Sequence, residues 1–464
     1  MSRDATICRV TDYLENGVFQ SELAELVAYP SESQNRSDEA RRACRQYLER
    51  AIKPRLEAMG CHCEIIDNPD PRGGPLLIAE RHEGDDLTTV LSYGHGDTVL
   101  GQEGMWRDGR DPWTLTPEGD RLYGRGAADN KSQHLINIAA LEAVIAERGV
   151  LGFNLKIVME MSEEVGSTGL ADVFKRYKDR LSADVLIASD GPRLQADVPT
   201  MFMGSRGVAT FDLLVETHEG AHHSGNWGGL LADPAIILAH ALASITDRRG
   251  QIKVPEWRPG SLTDSVRAAL CELPVEGGQG PNVVPDWGEE DLTPAERVFG
   301  WNSFAVLAMV SGTPEAPVNA ISGWARATCQ LRYVVGTNPK DIVPALRRRL
   351  AAAGFRDVQV TSHDHGSFAA TRLDPDHPWA CFVADSIRET SSGALHVLPN
   401  LAGSLPNDSF TDILGVPTIW VPHSYRGCSQ HAPDEHVLKS VCQDGLRVMA
   451  GIFWDLGALS KPPD

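Results

Sequence analysis

The stretch LKIVMEMSEE, residues 155–164, decides the fold of this chain of 464 residues. Its first part is almost continuously apolar, which is typical of a strand buried on both faces of a parallel sheet. Similar strands are predicted at residues 88–93 and 184–188, with an apolar-faced helix at 135–145 between them. Strands that alternate with helices in this way indicate an α/β domain built around a mostly parallel sheet.

The pattern changes after about residue 206. Strand-like and helix-like stretches then follow in a βαββαβ-like order, at residues 208–216, 232–245, 328–335, 339–353 and 358–362. Such a run suits a small α+β domain with an antiparallel sheet. Helix–strand alternation returns afterwards and ends in a buried strand near residue 420. The prediction is therefore one α/β domain in two pieces, residues 1–206 and 371–464, interrupted by an α+β domain at residues 207–370.

Composition excludes several classes of protein. The chain has 43 Lys+Arg against 63 Asp+Glu, a net charge of −20, which disfavours binding to nucleic acid or to anionic lipid. It has no apolar run long enough to span a membrane and no signal-peptide pattern at its start, so a cytoplasmic location is predicted. Its nine cysteines are scattered and odd in number, which argues against a disulfide framework.

Three short patterns imitate binding sites. Residues 61–63, CHC, are one thiol pair without a second, and we interpret them as the start of a strand rather than as a zinc site. Residues 124–129, GRGAAD, begin like a dinucleotide fingerprint but place a carboxylate where the third glycine belongs. Residues 218–222, HEGAH, match the zinc-protease pattern, which works only on a helix, whereas here they follow a strand and lead into a loop.

The informative polar residues lie where predicted strands end. His95 and Asp97 follow the strand at 88–93, Glu163 and Glu164 follow 155–161, and Asp190 follows 184–188; Asp129 lies in a loop before the predicted helix. Ligands of an open α/β sheet bind at this carboxyl edge. Carboxylates that converge there repel one another unless a cation is bound. Taken singly, each site could equally be a turn or a solvated pair.

The pair Glu163-Glu164 suggests a division of roles. Neighbouring residues in extended backbone point in opposite directions, so one glutamate could bind a metal while the other faces the water bound there. That arrangement suits metal-assisted hydrolysis, in which a free carboxylate carries the proton of the attacking water.

Together these residues resemble a known family. The pattern His95-x-Asp97, Asp129, Glu163-Glu164, Asp190 and the segment SQHAPDE at 429–435 resembles the M20 metallopeptidases over nearly the whole chain. That family includes carnosinase-like dipeptidases, carboxypeptidase G2-like enzymes, aminoacylases, and acetylornithine or succinyl-diaminopimelate deacylases. The resemblance implies a di-zinc α/β catalytic domain with an inserted lid or dimerisation domain.

The resemblance also implies metal-binding roles. Asp129 would bridge two zinc ions, with manganese or cobalt as possible substitutes, and a cis peptide would follow it. His95 and Asp190 would complete one metal site, and Glu164 and His431 the other. Glu163 would be the general base, and Asp97 would orient the His95 ring by a hydrogen bond.

The resemblance places further residues at the substrate. His223 of the lid would enter the partner subunit's site and stabilise the oxyanion, which implies a homodimer. Asn319 and Arg332 would bind the substrate's carboxylate or carbonyl oxygen. Gly403 and Ser404 belong to a loop that would hold the substrate's C-terminal end, although Ala402 departs from the family's pattern there. Taken alone, His223 could be an ordinary loop histidine and Arg332 a surface charge.

These residues lead to a functional hypothesis. We expect metal-dependent hydrolysis of the amide bond of a dipeptide or N-acyl amino acid with a free carboxylate. One alternative is hydrolysis of a non-peptide amide or carbamoyl compound on the same metal site, which substrate profiling would distinguish. Another is a binding module without catalysis, which metal analysis and activity assays would distinguish.

Overall fold

The apolar stretch that begins at residue 155 forms an inner strand of a large sheet. The computed structural model describes residues 2–271, 273–275, 282–363, 368–459 and 461–463. All nine cysteines lie in these ranges and are unpaired, as predicted. Within the same ranges, no helix combines the length and the apolar character needed to cross a membrane.

The first part of the chain contains six helices and nine strands. The helices are α1 (Arg3–Glu15), α2 (Val18–Val27), α3 (Asp38–Gln46), α4 (Lys53–Ala58), α5 (Ser132–Arg148) and α6 (Leu170–Arg176). The strands are β1 (His62–Ile66), β2 (Leu76–Arg81), β3 (Thr89–His95), β4 (Thr116–Glu118), β5 (Arg121–Tyr123), β6 (Asn154–Glu160), β7 (Val185–Ala188), β8 (Pro192–Arg193) and β9 (Thr200–Phe202).

The rest of the chain supplies the inserted region and a return to the first sheet. The inserted region contains β10 (Gly207–His223), α7 (Ser224–Trp227), α8 (Pro234–Ile245), α9 (Asp264–Leu270), β11 (Ser303–Ser311), β12 (Ala320–Tyr333), α10 (Ile342–Ala352) and β13 (Gln359–Ser362). The returning part contains α11 (Pro378–Thr390), β14 (His396–Leu398), β15 (Thr418–Trp420), β16 (Ser424–Tyr425), β17 (His436–Leu438) and α12 (Lys439–Leu456).

The main sheet has eight strands in the order β1-β2-β6-β3-β7-β15-β9-β14. The central strands β6, β3, β7 and β15 are parallel, whereas β1 and β2 form an antiparallel edge. This confirms the α/β fold with a mostly parallel sheet. Helices α5 and α12 pack on one face of the sheet, and α6 packs on the other. Both faces are therefore covered, which explains the continuous apolar runs in the strands.

The register of the central strands brings several loops to one edge. His95 at the end of β3 pairs with Glu160 at the end of β6, so the loops after the two strands begin side by side. Strand β7 is the other neighbour of β3 and runs in the same direction. The residues that follow β3, β6 and β7 therefore meet at the carboxyl edge of the sheet.

The inserted region forms a second, antiparallel sheet with the order β11-β12-β10-β13. Helices α8 and α10 cover one face of this sheet and share a separate hydrophobic core with it. Strands β10 and β12 form a long ribbon, which runs from Gly207 opposite Tyr333 to His223 opposite Ala320. We call this sheet with its helices the lid.

Part of the inserted region packs on the first domain instead of on the lid. Val266 and Leu270 of α9, together with Phe299, belong to the same hydrophobic core as Leu398 and Leu405 of the returning segment. The inserted region and the first domain are thus connected by this shared core as well as by the two chain segments that pass between them. The predicted limits at residues 206 and 370 stay a prediction.

Candidate metal centre

The five predicted metal ligands lie together at the carboxyl edge of the main sheet. His95 ends β3, Asp129 lies in the turn before α5, Glu164 follows β6, Asp190 follows β7, and His431 lies in the loop before β17. Among the described residues, they form two groups whose candidate ligand atoms lie within 4.8 Å of one another. The first group is His95, Asp129 and Asp190; the second is Asp129, Glu164 and His431.

Asp129 belongs to both groups because its two oxygens face different partners. Its Oδ1 lies 3.0 Å from Nε2 of His95, and its Oδ2 lies 3.1 Å from Nε2 of His431. Nε2 of His95 is also 3.8 Å from Oδ2 of Asp190, and Nε2 of His431 is 3.0 Å from Oε2 of Glu164. The peptide bond between Asp129 and Asn130 is cis. One carboxylate is thus placed to serve two cations.

The buried carboxylates of this cluster show how strongly it attracts positive charge. Burial, reinforced by the charge of Asp129, raises the pKa of Glu164 to about 7 and that of Asp190 to about 6. Hydrogen bonds with Asp129 and Glu164 raise the pKa of His431 to about 11. Protons and imidazolium charge thus compensate the crowded carboxylates, a role that divalent cations fill equally well.

One buried atom supports a cation directly. Among the described residues, no hydrogen-bond partner reaches the buried Oδ2 of Asp190, although the other oxygen of this carboxylate accepts the Gly191 N–H at 2.6 Å. An unpartnered buried carboxylate oxygen is costly unless something positive binds it. The mixed nitrogen and oxygen donors of both groups fit zinc, manganese or cobalt.

Glu163 and Glu164 reach the centre from a turn. Residues Glu163–Val165 form a short 3-10 turn, so the explanation from opposite directions in extended backbone was wrong. Asp97 fixes this turn: its carboxylate accepts the N–H groups of Glu163 and Glu164, both at 3.1 Å. Nδ1 of His95 donates to the main-chain carbonyl of Asp97 at 3.1 Å and lies 3.5 Å from its carboxylate. Asp97 therefore connects a ligand of one group with the turn that carries the other.

Glu163 faces the open cleft instead of either ligand group. It is half-buried, and burial together with the nearby carboxylate of Asp190 raises its pKa well above the ordinary value, against the opposing effect of His95. A carboxyl group with a raised pKa binds a proton more readily, as a group that accepts and passes on a proton requires.

Glu435, the last residue of the SQHAPDE segment, holds the Asp129 turn, a role that the sequence did not reveal. One oxygen of Glu435 accepts the N–H groups of Ala128 and Asp129 at 3.0 and 3.1 Å. The other accepts from Gly126 N–H at 3.1 Å and from the guanidinium of Arg125 at 2.7 Å. Both members of the ion pair are buried. The position of Glu435 four residues after His431 was visible in the sequence, but its partners, some 300 residues away, were not.

A cleft of about 300 Å³ opens from the metal centre. The charged and strongly polar residues of its lining are Asp129, Glu163, Asp190, Arg426, Gln430 and His431. The rest of the lining is mostly apolar and consists of Gly191, Pro192, Leu194, Phe299, Leu398, Leu401, Ala402, Gly403, Ser404 and Leu405. Gln430 also donates a hydrogen bond to Oδ2 of Asp129. The predicted residues Gly403 and Ser404 thus line the same cleft as the metal ligands.

Arg332 lies beside this loop. Its guanidinium donates to the Ser404 hydroxyl at 2.8 Å and to Gln330 at 3.1 Å. Arg206 is its neighbour and donates to the Ala402 carbonyl at 2.8 Å. Burial, together with the charge of Arg332, lowers the pKa of Arg206 to about 10. Two guanidinium groups therefore lie behind the Gly403-Ser404 corner of the cleft.

His223 and Asn319 lie elsewhere, at the tip of the lid. Both are exposed, and the carbonyl of Asn319 accepts the N–H of Ser224 at 2.9 Å. Nδ1 of His223 accepts the N–H of Gly225 at 3.1 Å. The structure thus separates the predicted substrate residues into two sets, one at the cleft and one at the lid tip.

None of the three imitating patterns forms the site that it resembles. Residues 218–222 were expected to follow a strand and lead into a loop, but they lie within strand β10 and are followed by the short helix α7; they are not on a helix, which the zinc-protease pattern requires. Residue His62 begins β1, and Gly126 with a φ of 79° leads into the Asp129 turn. Neither of the two ligand groups found in the described ranges includes any of these patterns' histidines or cysteines.

Comparisons with known proteins show the family of the chain. The profile of peptidase family M20/M25/M40 matches residues 91–455. A Beta-Ala-His dipeptidase of Mus musculus is 34% identical over 80% of this chain and 78% of that protein. A Cysteinylglycine-S-conjugate dipeptidase of Corynebacterium striatum is 26% identical over 84% of each.

The fold has a close counterpart among solved structures. Human carnosine dipeptidase 1 aligns with a TM-score of 0.75 and 22% identity, over 98% of this chain and 99% of that one. The resemblance noted in the sequence is thereby confirmed. Because the family profile spans most of its length, the chain is an enzyme that belongs to peptidase family M20/M25/M40.

Proposed function

We propose that this enzyme hydrolyses the amide bond of a dipeptide or N-acyl amino acid that has a free carboxylate, at a centre of two zinc ions. The observation that carries the proposal is the placement of Asp129 between two ligand groups, with Glu163 beside them and facing the cleft. The dipeptidases among the relatives support a dipeptide as substrate.

The ligand roles follow from the two groups. Asp129 would serve both ions, His95 and Asp190 would hold one of them, and Glu164 and His431 would hold the other. Manganese or cobalt fits the same donors. Two such ions, when bound, polarise the scissile carbonyl and lower the pKa of a coordinated water.

Glu163 moves the proton. Its carboxylate lies at the cleft and takes a proton from the attacking water, then delivers it to the nitrogen of the leaving amine. Asp97 positions Glu163, because its carboxylate holds the N–H groups of the turn that carries both glutamates.

The Gly403-Ser404 corner binds the free carboxylate of the substrate. Ser404 lines the cleft and its hydroxyl accepts a hydrogen bond from Arg332 behind it, so a carboxylate at this corner would lie next to the hydroxyl and near the guanidinium charge. Burial lowers the pKa of Arg332, but the group remains a cation at neutral pH.

His223 acts in a second copy of the chain. Strand β10 contains 17 residues, so the lid tip lies roughly 50 Å along the ribbon from Gly207 at the cleft side. His223 therefore lies far from the metal centre of its own chain, and we infer that it stabilises the oxyanion in a partner subunit, with Asn319 beside it. A homodimer through the lid also explains its exposed apolar residues Val306, Leu307, Met309 and Trp324. The cytoplasm is the proposed location.

Replacement of Glu163 by Gln tests the mechanism. The substitution keeps the shape of the side chain but removes the base, so we expect kcat to fall by about 10²–10⁴-fold with metal content unchanged. Metal analysis and hydrolysis of dipeptides and N-acyl amino acids with added zinc or manganese measure both. The exposed Glu25→Gln is the matched control. Full activity of E163Q would contradict the role of Glu163, and hydrolysis of carbamoyl compounds alone would contradict the substrate class.

A further inference from the structure

One charged residue of the cleft has no place in the mechanism above. Arg426 follows β16 and lies five residues before His431. Its side chain is exposed to solvent within the cleft and lines it together with Glu163 and Asp190. Of the described residues that line the cleft, it alone is a lysine or arginine.

Arg426 differs from the other arginines around the site in lacking a partner. Arg125 pairs with Glu435, and both Arg206 and Arg332 donate hydrogen bonds behind the Gly403-Ser404 corner. No carboxylate or carbonyl of the described ranges lies within hydrogen-bond or ion-pair distance of the Arg426 guanidinium. Burial alone lowers its pKa, with no acidic neighbour acting against that effect. A guanidinium that lines a cleft and has no protein partner is free to pair with a bound anion.

The anions already present do not need this guanidinium. Asp129, Asp190 and Glu164 belong to the metal groups. The α-carboxylate of the substrate has its own corner at Ser404 and Arg332. Arg426 lines the same cleft as Ser404 and the candidate metal ligand His431, but it forms no hydrogen bond with Ser404 or with any other described residue that lines the cleft. Its charge is therefore available to a second anionic group of the substrate.

We propose that Arg426 binds a second carboxylate of the substrate, so that the preferred substrates are dipeptides or N-acyl amino acids with one carboxylate beyond the α-carboxylate. This inference rests on the proposed function and narrows its substrate class. The extra carboxylate can belong either to the acyl side or to the side chain of the C-terminal residue, and both present the same planar anion to the guanidinium fork. Arg426 is thus a specificity-determining residue.

Three dipeptides test the proposal and separate its two sources: Ala-Ala, Asp-Ala and Ala-Asp. The holoenzyme is compared with Arg426→Gln, and the exposed Arg447→Gln of α12 serves as the control with the same loss of charge. We expect R426Q to lower kcat/KM for one of the acidic dipeptides by about 10- to 100-fold, mainly through KM. Ala-Ala hydrolysis should stay within about twofold, since a neutral residue does not reach the guanidinium. The dipeptide that loses more identifies the side of the scissile bond that Arg426 serves.

The reversed charge makes the test independent of any loss of folding. Arg426→Glu should reduce hydrolysis of the acidic dipeptide and increase that of the matching lysine dipeptide, a gain that an unfolded variant does not give. Equal losses for Ala-Ala and the acidic dipeptides in R426Q would overturn the proposal, because they would place the α-carboxylate or a structural role at Arg426.

A binding measurement separates this inference from the proposed function. If wild-type enzyme hydrolyses neither these dipeptides nor the N-acyl amino acids, the proposed function fails. Calorimetric binding of the same dipeptides to E163Q and to E163Q/R426Q still decides the inference. Tighter binding of an acidic dipeptide to E163Q alone supports the second carboxylate site, and equal binding to both variants overturns it.

Discussion

The floor of the cleft and the tip of the lid are built in contrasting ways. At the floor, His95 is fully buried, and the Glu164 side chain is only 4% exposed. At the tip, His223 and Asn319 are exposed and hydrogen-bond only to neighbouring backbone. The floor draws on loops from both ends of the chain, whereas the tip is one local turn at the end of a ribbon.

This difference indicates which half of the site a single chain completes. The floor has two groups of candidate metal ligands, which the carboxylates of Asp97 and Glu435 hold in place. The tip has the proposed oxyanion donor, which lies at the far end of the ribbon from Arg332. The metal centre should therefore survive changes in assembly, while catalysis should depend on a second copy.

The largest effect on activity in this comparison is expected from a substitution at the lid tip. His223→Ala removes the proposed oxyanion donor, so kcat should fall by about 10²–10³-fold while metal content stays unchanged. Mixed dimers test directly whether His223 acts in the site of the partner subunit. A dimer of H223A with E163Q has one site with an intact Glu163 and the partner's intact His223, so mixing two inactive variants should restore activity.

Tag-selected mixed dimers and a rate assay measure this recovery. Dimers of E163Q with wild type provide the reference for one working site in two. Recovery close to that reference is the expected result. If purified mixed dimers stay as inactive as either parent, His223 does not act across the subunit boundary, and the contrast between floor and tip has another cause.

The next largest effect is expected on metal affinity, from a substitution at the floor of the cleft. Glu435→Gln removes the charge that pairs with Arg125 and loosens the N–H contacts at the Asp129 turn. We expect metal affinity to fall about 10- to 100-fold, the range seen for residues that orient metal ligands. Competition with a chelator measures this affinity in each variant.

The inserted region offers a matched control for Glu435→Gln. Glu289 is buried, pairs with Arg258 and accepts the N–H of Ile252, much as Glu435 does at the floor. Glu289→Gln should lower thermal stability without any change in metal affinity. Equal metal affinities for E435Q and wild type would show that the Asp129 turn keeps its shape without Glu435.

Some of the floor could be predicted from the sequence because strand ends are local signals. An apolar run followed by acidic residues locates Glu164 and Asp190 at one sheet edge, since parallel strands end together. The backbone of the Glu163 turn could not be predicted in this way, because Asp97 imposes it from another strand. Glu435 was missed for the same reason: its partners are distant in sequence.

The lid tip shows a different limit. The resemblance named His223 and Asn319, but the ribbon length that separates them from Arg332 emerges only when β10 and β12 pair along their length. Arg426 is a third case. An arginine in a loop has no pattern in sequence, and its lack of a partner is a property of the folded cleft.

The smallest effect tests how far the floor tolerates a buried charge without a metal. Glu160 is fully buried; one oxygen accepts hydroxyl hydrogen bonds from Tyr93 and Ser167 at 2.6 Å, and the other has no partner. Burial raises the pKa of Glu160 from 4.5 to about 7. A carboxyl group whose pKa is higher when folded costs stability when ionised, so its unfavourable contribution grows as pH rises from about 4.5 to about 7 and is constant above that.

The glutamine of Glu160→Gln stays neutral at every pH. The free energy of unfolding of the variant should therefore rise relative to that of wild type across the same pH window. We expect the free energy of unfolding of E160Q to gain roughly 1–2 kcal/mol on wild type between pH 5 and pH 8. Urea unfolding of both proteins with metal removed measures the difference, in which the titration of the shared metal ligands cancels. The exposed Glu25→Gln should give no such trend. A gap that does not change with pH would mean that Glu160 stays ionised throughout, and that the floor accommodates an unpaired buried carboxylate as readily as a paired one.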